Sequence, residues 1–294
     1  VSEGDRTFTV TWTDNAGNSG SATYDWTADF TDPSISIDGP SDPTNSVSAT
    51  FTVTATDAVD SSLTVACELD GESVDCASTH TVSANAQHTF TATAFDDAGN
   101  EGSSSHVWYV DTTDPSVSID ANPSDPSNDA APSFTVSSSD DYSLGSTVCD
   151  IDGTAVDCAG GASLADGSHT FTATATDDAG NSASDSYTWV VDATAPSVSV
   201  SGPDSPSASA DADMTVTSSD DGSGLASTTC DLDGNAVDCA DDLTGLADGS
   251  HTFTATATDN AGNSASDSHT WLVDTTCLLY TSDAADDTPC VDLG

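Results

Sequence analysis

The sequence predicts an all-β protein made of tandem antiparallel β-sandwich domains, arranged like beads on a string. Asp, Ser, Thr, Gly and Pro are abundant, whereas the straight-chain residues that favour helices are scarce. Four of the five tryptophans recur at a nearly constant interval: Trp26, Trp108, Trp189 and Trp271. An interval of this length is typical of a domain rather than of a short solenoid repeat.

Each repeat is predicted to end in a β-hairpin. In residues 169–177, HTFTATATD, alternate positions such as Phe171 and Ala173 share one face and the threonines share the other. A D-x-A-G-N turn motif follows, and residues 184–192, SDSYTWVVD, then form a second strand that carries Trp189. Two alternating strands that flank a turn motif indicate a half-buried hairpin.

Four further short strands are predicted upstream in the same repeat, at 115–120, 132–138, 146–152 and 154–159. Six or seven short strands in about 80 residues indicate an antiparallel sandwich. The linkers contain Pro and are short, so neighbouring repeats have little slack. The predicted boundaries are 1–28 for the C-terminal part of a truncated repeat, then 29–110, 111–191 and 192–276 for complete repeats.

One long segment resembles a known family. Residues 230–239, CDLDGNAVDC, and residues 246–276, LADGSHTFTATATDNAGNSASDSHTWLVDTT, are similar to the Ig-like repeats that bacterial and archaeal surface proteins carry in tandem. The resemblance covers residues 1–276. It implies an Ig-like or fibronectin-III-like sandwich fold, and roles in adhesion, spacing or display.

Residues 277–294, CLLYTSDAADDTPCVDLG, do not follow the repeat pattern. A Pro-containing linker and a strand are expected at this point. The segment instead resembles the translation of a transposase sequencing adapter, so we predict that it is a non-native tail. The start at Val1 rather than Met also favours a fragment of a longer protein, and no signal-peptide pattern is present there.

The charge excludes some partners. Fifty acidic residues and one basic residue give a formal net charge of -49, which disfavours binding to nucleic acid or to an anionic membrane surface. The sequence has no apolar run of about 18 residues, so we predict no membrane insertion. High acidity can also indicate disorder, but the regular recurrence of Trp, Phe and Val favours an ordered chain. The expected partners are cations, with cell-surface or polysaccharide ligands bound by regions outside this sequence.

Six cysteines form three C-x8-C pairs, one in each complete repeat: Cys67 and Cys76, Cys149 and Cys158, Cys230 and Cys239. A two-residue hairpin loop at 71–72 would place Cys67 opposite Cys76 and Leu69 opposite Val74. Opposed strand residues have Cα atoms about 4.5 to 5.5 Å apart, within disulfide reach. We therefore predict three disulfides and a location outside a reducing cytoplasm, that is, extracellular or cell-surface. The spacing disfavours a zinc site.

No catalytic constellation is predicted. His106 and His269 take the repeat position that Tyr24 and Tyr187 take elsewhere, which indicates packing. Asp166, Ser168 and His169 include the residue types of a catalytic triad. Adjacent strand residues face opposite ways, however, and cannot form that relay.

Acidic clusters are the candidate metal ligands. The loop at 231–235 contains alternating Asp but lacks the Gly and Glu of an EF-hand, so a hairpin turn is favoured there. Other clusters follow the second strand, lie in the D-x-A-G-N turns or lie in a linker, and several of them could meet at one end of a sandwich. The candidate Ca²⁺ ligands are Asp96, Asp97, Asp111, Asp114, Asp140, Asp141, Asp177, Asp178, Asp220 and Asp221.

The repeat at 111–191 has fourteen Asp and no Lys or Arg, so its repulsion requires an external counter-charge. Bound Ca²⁺ or a hypersaline medium would supply it, and for any one cluster a solvated turn remains an alternative.

Two functional hypotheses stay open. The first is a fragment of a large secreted or cell-surface protein whose repeats act as a stalk or spacer for adhesion or display, adapted to high salt or Ca²⁺. The alternative is an accessory, polysaccharide-binding array of a secreted hydrolase. The sequence does not separate them, since a fold does not dictate a function. Catalysis within the repeats is not predicted.

Overall fold

The computed structural model describes residues 2–276, which form strands, turns and bends and contain no helix. This part of the chain therefore has no helix with the length and apolarity needed to cross a membrane. In chain order the strands are β1 Gly4–Thr13, β2 Ser19–Ala28, β3 Ser34–Asp38, β4 Ser48–Ala49, β5 Thr52–Thr56, β6 Thr64–Leu69, β7 Glu72–Val74, β8 His80–Thr81, β9 Ala86–Phe95, β10 Glu101–Val110, β11 Ser116–Ala121, β12 Thr135–Ser139, β13 Leu144–Ile151, β14 Thr154–Val156, β15 Gly167–Asp177, β16 Ser182–Val191, β17 Ser197–Ser201, β18 Thr215–Ser219, β19 Leu225–Leu232, β20 Asn235–Val237, β21 Gly249–Asp259 and β22 Ser264–Val273.

The chain divides into two compact units. The first contains the described residues up to Val117 together with 138–147 and 174–184, and the second contains 118–137, 148–173 and the described residues from Asp185 onward. The repeat boundaries at 28, 110 and 191 stay a prediction.

The first unit contains a two-layer sandwich. One sheet has the order β10-β9-β6-β7, and a second sheet pairs β3 with β5. Between them Phe51 stacks on Phe90 with ring centroids 3.8 Å apart, and Trp108 meets Phe51 edge-on at 5.3 Å. Cys67 and Val110 complete the buried centre, with Ile and Val side chains from β3 and β5 packed against it. The predicted antiparallel sandwich is confirmed here.

The second unit repeats this arrangement. One sheet has the order β20-β19-β21-β22, and β17 pairs with β18. Phe253 and Trp271 lie in the core with Met214, which takes the repeat position of Phe51. Elsewhere in this unit Phe134 stacks on Phe171 with centroids 3.9 Å apart. Residues at equivalent positions of the sequence repeat therefore form the same kind of core in each case.

The alternating pattern of the C-terminal hairpins is confirmed. In β21, Phe253, Ala255 and Ala257 are buried, while the intervening threonines are more exposed. Antiparallel pairing with β22 places Phe253 opposite His269. The small Ala side chains on the buried face leave room for the side chains of the facing sheet. A strand with one Phe and several Ala on this face, and Thr on the other, can therefore pack into the sandwich.

The three predicted disulfides are present. The Cα atoms are 5.3 Å apart in the pair Cys67–Cys76, and the pairs Cys149–Cys158 and Cys230–Cys239 have separations of 5.1 and 5.2 Å. Each bridge links a strand of the larger sheet to the residue two positions after the edge strand that pairs with it. It therefore closes a loop beside the core.

The predicted hairpin register was wrong. Cys67 lies opposite Val74, not opposite Cys76, and Leu69 lies opposite Glu72. The two-residue loop is Asp70-Gly71, with φ of 52° and 84°, rather than the loop at 71–72. A type I′ turn needs positive φ at both central residues, and Asp-Gly meets that need at low cost. Cys76 lies just past the end of β7, where the chain still brings it within bridging distance.

The interchangeable Tyr and His position has a physical explanation. The hydroxyl of Tyr187 donates a hydrogen bond to the carbonyl of Pro123 at 3.0 Å. The Nε2 of His106 donates to the carbonyl of Pro40 at 3.0 Å. The ring of His106 lies beside Trp108 and the ring of Tyr187 beside Trp189, with centroids 5.8 and 6.0 Å apart, so both rings pack against Trp and donate to an equivalent carbonyl.

The triad residue types do not assemble in the described chain. His169 contacts Asp152 at 2.7 Å and the carbonyl of Ala165 at 2.8 Å. Asp166 instead accepts from the amide of Ala193 at 2.9 Å. The residues at 231–235 form the predicted turn, in which Asp233 has a φ of 51°.

Candidate metal-binding clusters

Within residues 2–276, three groups of Asp each bring three carboxylates together, with one oxygen of each residue within 4.8 Å of the others. Cluster 1 is Asp29, Asp57 and Asp96; cluster 2 is Asp111, Asp140 and Asp141; cluster 3 is Asp192, Asp220 and Asp259.

The clusters use equivalent positions of the repeat. The first member of each lies shortly after a recurring Trp, at the same offset: Asp29, Asp111 and Asp192. The second follows directly after a strand of the smaller sheet: Asp57, Asp140 and Asp220. In clusters 1 and 3 the third member is the first residue of the D-x-A-G-N motif, while in cluster 2 it is Asp141. Each cluster therefore brings the segment after a recurring Trp together with turns that come later in the sequence.

Cluster 2 contains buried carboxylate oxygens without a partner. Asp111 is 1% exposed, and its Oδ1 accepts the amide of Thr113 at 3.0 Å. The Oδ1 of Asp140 accepts the amides of Tyr142 and Ser143 at 2.9 and 3.0 Å. The Oδ2 atoms of Asp111 and Asp140 are buried and have no hydrogen-bond partner among the described residues. Backbone amides thus orient one oxygen of each residue and leave the other available.

Burial raises the pKa of Asp111. The amide of Thr113 opposes this effect, but the negative charges of Asp140, Asp177 and Asp141 add to the rise. A buried carboxylate beside other carboxylates is costly to ionise unless a cation compensates it. Cluster 2 is therefore short of positive charge.

Cluster 1 repeats this pattern. The Oδ1 of Asp29 accepts the amide of Thr31 at 3.1 Å, and the Oδ1 of Asp57 accepts the amide of Val59 at 2.7 Å. Both Oδ2 atoms are again buried and without a partner in this part of the chain. The amide of Thr31 lowers the pKa of Asp29, but burial and the nearby carboxylates outweigh it and raise the pKa.

The D-x-A-G-N motif positions the turn carboxylates. Asp96 accepts the amide of Asn100 at 2.7 Å through Oδ1 and its side chain at 2.6 Å through Oδ2. Burial raises the pKa of Asp96, but these hydrogen bonds lower it below its usual value. In the next repeat Asn181 donates to Asp177 at 2.7 Å and to the carbonyl of Asp111 at 3.0 Å. The Asn of the motif therefore connects the turn to the linker.

Cluster 3 differs from the other two. The Oδ1 of Asp192 accepts the amide of Thr194 at 3.2 Å, and its Oδ2 accepts the amide of Ser223 at 2.6 Å. Hydrogen bonding from the side chain and amide of Ser223 lowers the pKa of Asp192. A cleft of about 460 Å³ lies beside this cluster, lined in part by Asp166, Asp220 and Asp221. Backbone donors here already compensate some of the charge.

Five predicted ligands fall in the clusters: Asp96, Asp111, Asp140, Asp141 and Asp220. The other five lie outside these groups: Asp97, Asp114, Asp177, Asp178 and Asp221. Asp178 instead accepts a hydrogen bond from the hydroxyl of Ser143. Sequence reasoning missed Asp29, Asp57, Asp192 and Asp259. Alignment of the repeats at the recurring Trp and at the D-x-A-G-N motif places three of the four at positions equivalent to predicted ligands, so the periodicity carried the signal.

The donor set suits a hard cation. Ca²⁺ binds six to eight oxygen ligands, many of them carboxylates, while structural zinc prefers Cys and His. All nine members of the clusters are Asp, and the only Lys or Arg of the sequence is Arg6. Three carboxylates supply part of such a shell.

No family model matches the sequence, and no curated protein is significantly similar to it. Solved structures show weak similarity. The fibronectin(III)-like modules of Clostridium thermocellum CbhA are 18% identical, with 54% of this chain and 94% of that chain covered and a TM-score of 0.38. A Ca²⁺-stabilized adhesin of an Antarctic bacterium is 22% identical over 92% and 82% of the two chains, with a TM-score of 0.35.

A tetra-tandem repeat from the extending region of a large adhesion protein is 23% identical over 93% and 82% of the chains, with a TM-score of 0.34. At these scores the similarities assign no function to this chain.

Proposed function

We propose that this chain is a spacer segment of an extracellular or cell-surface protein that supports adhesion or display, and that its Asp clusters bind Ca²⁺. The observation that carries the proposal is the buried Oδ2 of Asp111, which has no partner among the described residues although it lies in a group of three carboxylates. A buried acceptor without a donor is costly, and a cation removes that cost.

The repetition of the clusters supports a structural role. Two of the three members of each cluster occupy equivalent positions, so each complete repeat has one cluster that includes the residue three positions after the preceding recurring Trp. A cation held there would tie the linker to the turns and limit bending at that point. The three disulfides support an oxidising, extracellular setting.

Calorimetry in chelator, in Ca²⁺ and in NaCl of matched ionic strength tests the metal part of this proposal. Ca²⁺ should raise the melting temperature beyond the matched NaCl sample, because a specific ligand stabilises the folded state by mass action. Equal melting temperatures in the two salts would contradict Ca²⁺ binding and favour simple screening.

Small-angle X-ray scattering under the same conditions tests the spacer part. Removing Ca²⁺ should broaden the distribution of intramolecular distances, because the linkers lose their restraint. An unchanged distribution, in samples whose melting temperature does respond to Ca²⁺, would contradict the spacer role and leave the metal sites standing.

A further inference from the structure

A pair of stacked tyrosines lies beside cluster 2. Tyr109 is two residues before Asp111, and Tyr142 directly follows Asp141. The two rings are nearly parallel, at 7°, with centroids 3.9 Å apart. All four residues belong to the first compact unit. The stack therefore connects the two segments that supply the carboxylates of cluster 2.

Three hydrogen bonds anchor the stretch of chain that carries Tyr109 and Asp111. The amide of Tyr109 donates to Oδ1 of Asp42 at 2.9 Å, and its carbonyl accepts from the amide of Thr44 at 3.0 Å. The amide of Asp111 donates in turn to the carbonyl of Thr44 at 2.9 Å. The ring of Tyr109 and the carboxylate of Asp111 therefore extend from the same anchored backbone.

Tyr142 orients Asp140 through its own backbone. It lies in the bend between β12 and β13, and its amide donates to Oδ1 of Asp140 at 2.9 Å. The Oδ2 of Asp140 is one of the buried oxygens without a partner among the described residues. A bend that is held against Tyr109 by its ring therefore keeps Asp140 close to Asp111.

The aromatic pair distinguishes cluster 2 from the other two clusters. The residue directly after the recurring Trp is Thr27 at cluster 1 and Val190 at cluster 3. The residue two positions after the second cluster member is Val59 at cluster 1 and Gly222 at cluster 3. Neither of these pairs contains an aromatic ring, so among the three clusters of the described chain cluster 2 alone has this stack.

The stack opposes the repulsion within the cluster. Without a cation, the carboxylates of cluster 2 repel one another, which favours movement of the bend away from the linker. An offset or parallel contact between two aromatic rings favours the closed arrangement. A site whose binding-competent form is more populated has a higher apparent affinity with the same set of ligands.

We propose that Tyr109 and Tyr142 are positioning residues for cluster 2, which hold its carboxylates together in the cation-free chain and make it the first cluster to fill with Ca²⁺. This inference rests on the Ca²⁺ binding proposed above. The coupling is reciprocal, so a cation in cluster 2 also stabilises the stack.

Isothermal titration of Ca²⁺ into the intact, chelator-treated chain tests the inference. Tyr142→Ala should weaken the tightest site about threefold to tenfold without a change in the number of Ca²⁺ bound. Tyr109→Ala should have the same effect, and the double variant should weaken the site little more than either single change, because the same contact is lost in each. Tyr142→Phe retains a stacking ring and should stay within about twofold of the native affinity.

Val107→Ala is the matched control, because Val107 is 44% exposed on the same strand as Tyr109 and belongs to none of the clusters. It should leave the titration unchanged. Nuclear magnetic resonance gives the reciprocal readout: the ring-current shifts of the Tyr109 and Tyr142 protons should grow as the first Ca²⁺ binds. A purely structural pair would keep these shifts constant. In Asp111→Asn, adding Tyr142→Ala should leave the remaining sites unaltered.

An unchanged affinity of the tightest site in Tyr142→Ala, when the native chain does bind Ca²⁺, would overturn this inference and leave the proposed Ca²⁺ binding standing. Equal weakening by Tyr142→Phe and Tyr142→Ala would also overturn it, because the hydroxyl rather than the stack would then be responsible. Weakening of the remaining sites in the Asp111→Asn background would place the effect outside cluster 2 and have the same consequence. A native chain that binds no Ca²⁺ would refute both the inference and the proposed function.

Discussion

Asp111→Asn should change stability in opposite directions with and without Ca²⁺. The substitution removes one negative charge from cluster 2 but retains an oxygen that can accept the amide of Thr113. In chelator the variant should be more stable than the native chain. In saturating Ca²⁺ it should be less stable, because a ligand is lost.

The distances set the size of the effect. Two unit charges at the 4.8 Å limit of the cluster repel by about 1 kcal/mol in bulk water and by about 3.5 kcal/mol at an effective dielectric constant of 20. Asp111 is buried but Asp141 is exposed, so the effective repulsion lies between these two limits. Asp111→Asn should therefore raise the free energy of unfolding in chelator by about 1 to 3 kcal/mol. For a domain of this size that is roughly 4 to 24 °C in melting temperature. At a Ca²⁺ concentration 100 times the dissociation constant, the native chain gains about 2.7 kcal/mol that the variant largely lacks.

Differential scanning calorimetry of both proteins, with and without chelator, provides the assay. Asp114→Asn is the matched control, because Asp114 lies in the same linker, is exposed and is outside the cluster. Its effect should be small and the same in both buffers. If Asp111→Asn lowered the melting temperature equally in chelator and in Ca²⁺, the account of charge crowding and metal binding would be refuted.

Phe90→Ala should lower the free energy of unfolding of its sandwich by about 3 to 5 kcal/mol, because Phe90 is fully buried. Phe8→Ala, at the equivalent but exposed position, should leave that unfolding transition unchanged. Denaturant titration compares the two variants, and equal losses of stability would contradict the burial argument. Replacing both Cys149 and Cys158 by Ser should lower the free energy of unfolding by about 2 to 3 kcal/mol, because the disulfide closes a loop of about ten residues. An unchanged melting temperature would contradict a stabilising contribution from this disulfide. Hydrogen bonding to Asp152 raises the pKa of His169, whose stabilising effect is complete below pH 6.5 and is lost as the pH rises through the raised pKa. The stability lost on His169→Gln should therefore shrink in thermal melts as the pH rises above 6.5 and through the raised pKa, and a loss independent of pH would exclude the charged form.

Both ring nitrogens of His169 face oxygen acceptors, which explains this pH dependence. Nδ1 donates to the carboxylate of Asp152 and Nε2 donates to the carbonyl of Ala165, so the protonated ring satisfies both partners. The bond from His169 also lowers the pKa of Asp152, so that part of the stabilisation is present above pH 3.8 and is lost as the pH falls through the lowered pKa. The pair contributes most between pH 3.8 and 6.5.

Strands and disulfides were predictable because they depend on local patterns. The alternation of Phe253, Ala255 and Ala257 with Thr defines one buried face, and the constant C-x8-C spacing brings the sulfurs together in either hairpin register. The register itself was not predictable from alternation alone, because loops at 70–71 and 71–72 both contain Gly. The preference of Asp70-Gly71 for positive φ decided it.

The clusters were only partly predictable. Asp192, Asp220 and Asp259 belong to three separate segments, and no local pattern states which carboxylates approach one another. Adjacent acids such as Asp140 and Asp141 attracted notice, while an isolated Asp such as Asp29 did not. Which carboxylate oxygen is left without a partner depends on which oxygen the backbone amides bind. Only the folded turns bring the amides of Thr113 and Tyr142 to the Oδ1 atoms of Asp111 and Asp140.

Isothermal titration of Ca²⁺ into the chelator-treated chain, at an ionic strength high enough to screen diffuse binding, tests the central claim most directly. Clusters 1 and 2 contain buried carboxylate oxygens without a partner among the described residues, whereas Asp192 in cluster 3 is already hydrogen-bonded through both oxygens. The account predicts two tighter sites and one weaker site per chain, with one tighter site lost in Asp111→Asn. Fewer than one Ca²⁺ bound per chain at about 1 mM free Ca²⁺, or an unaltered titration of Asp111→Asn, would contradict it.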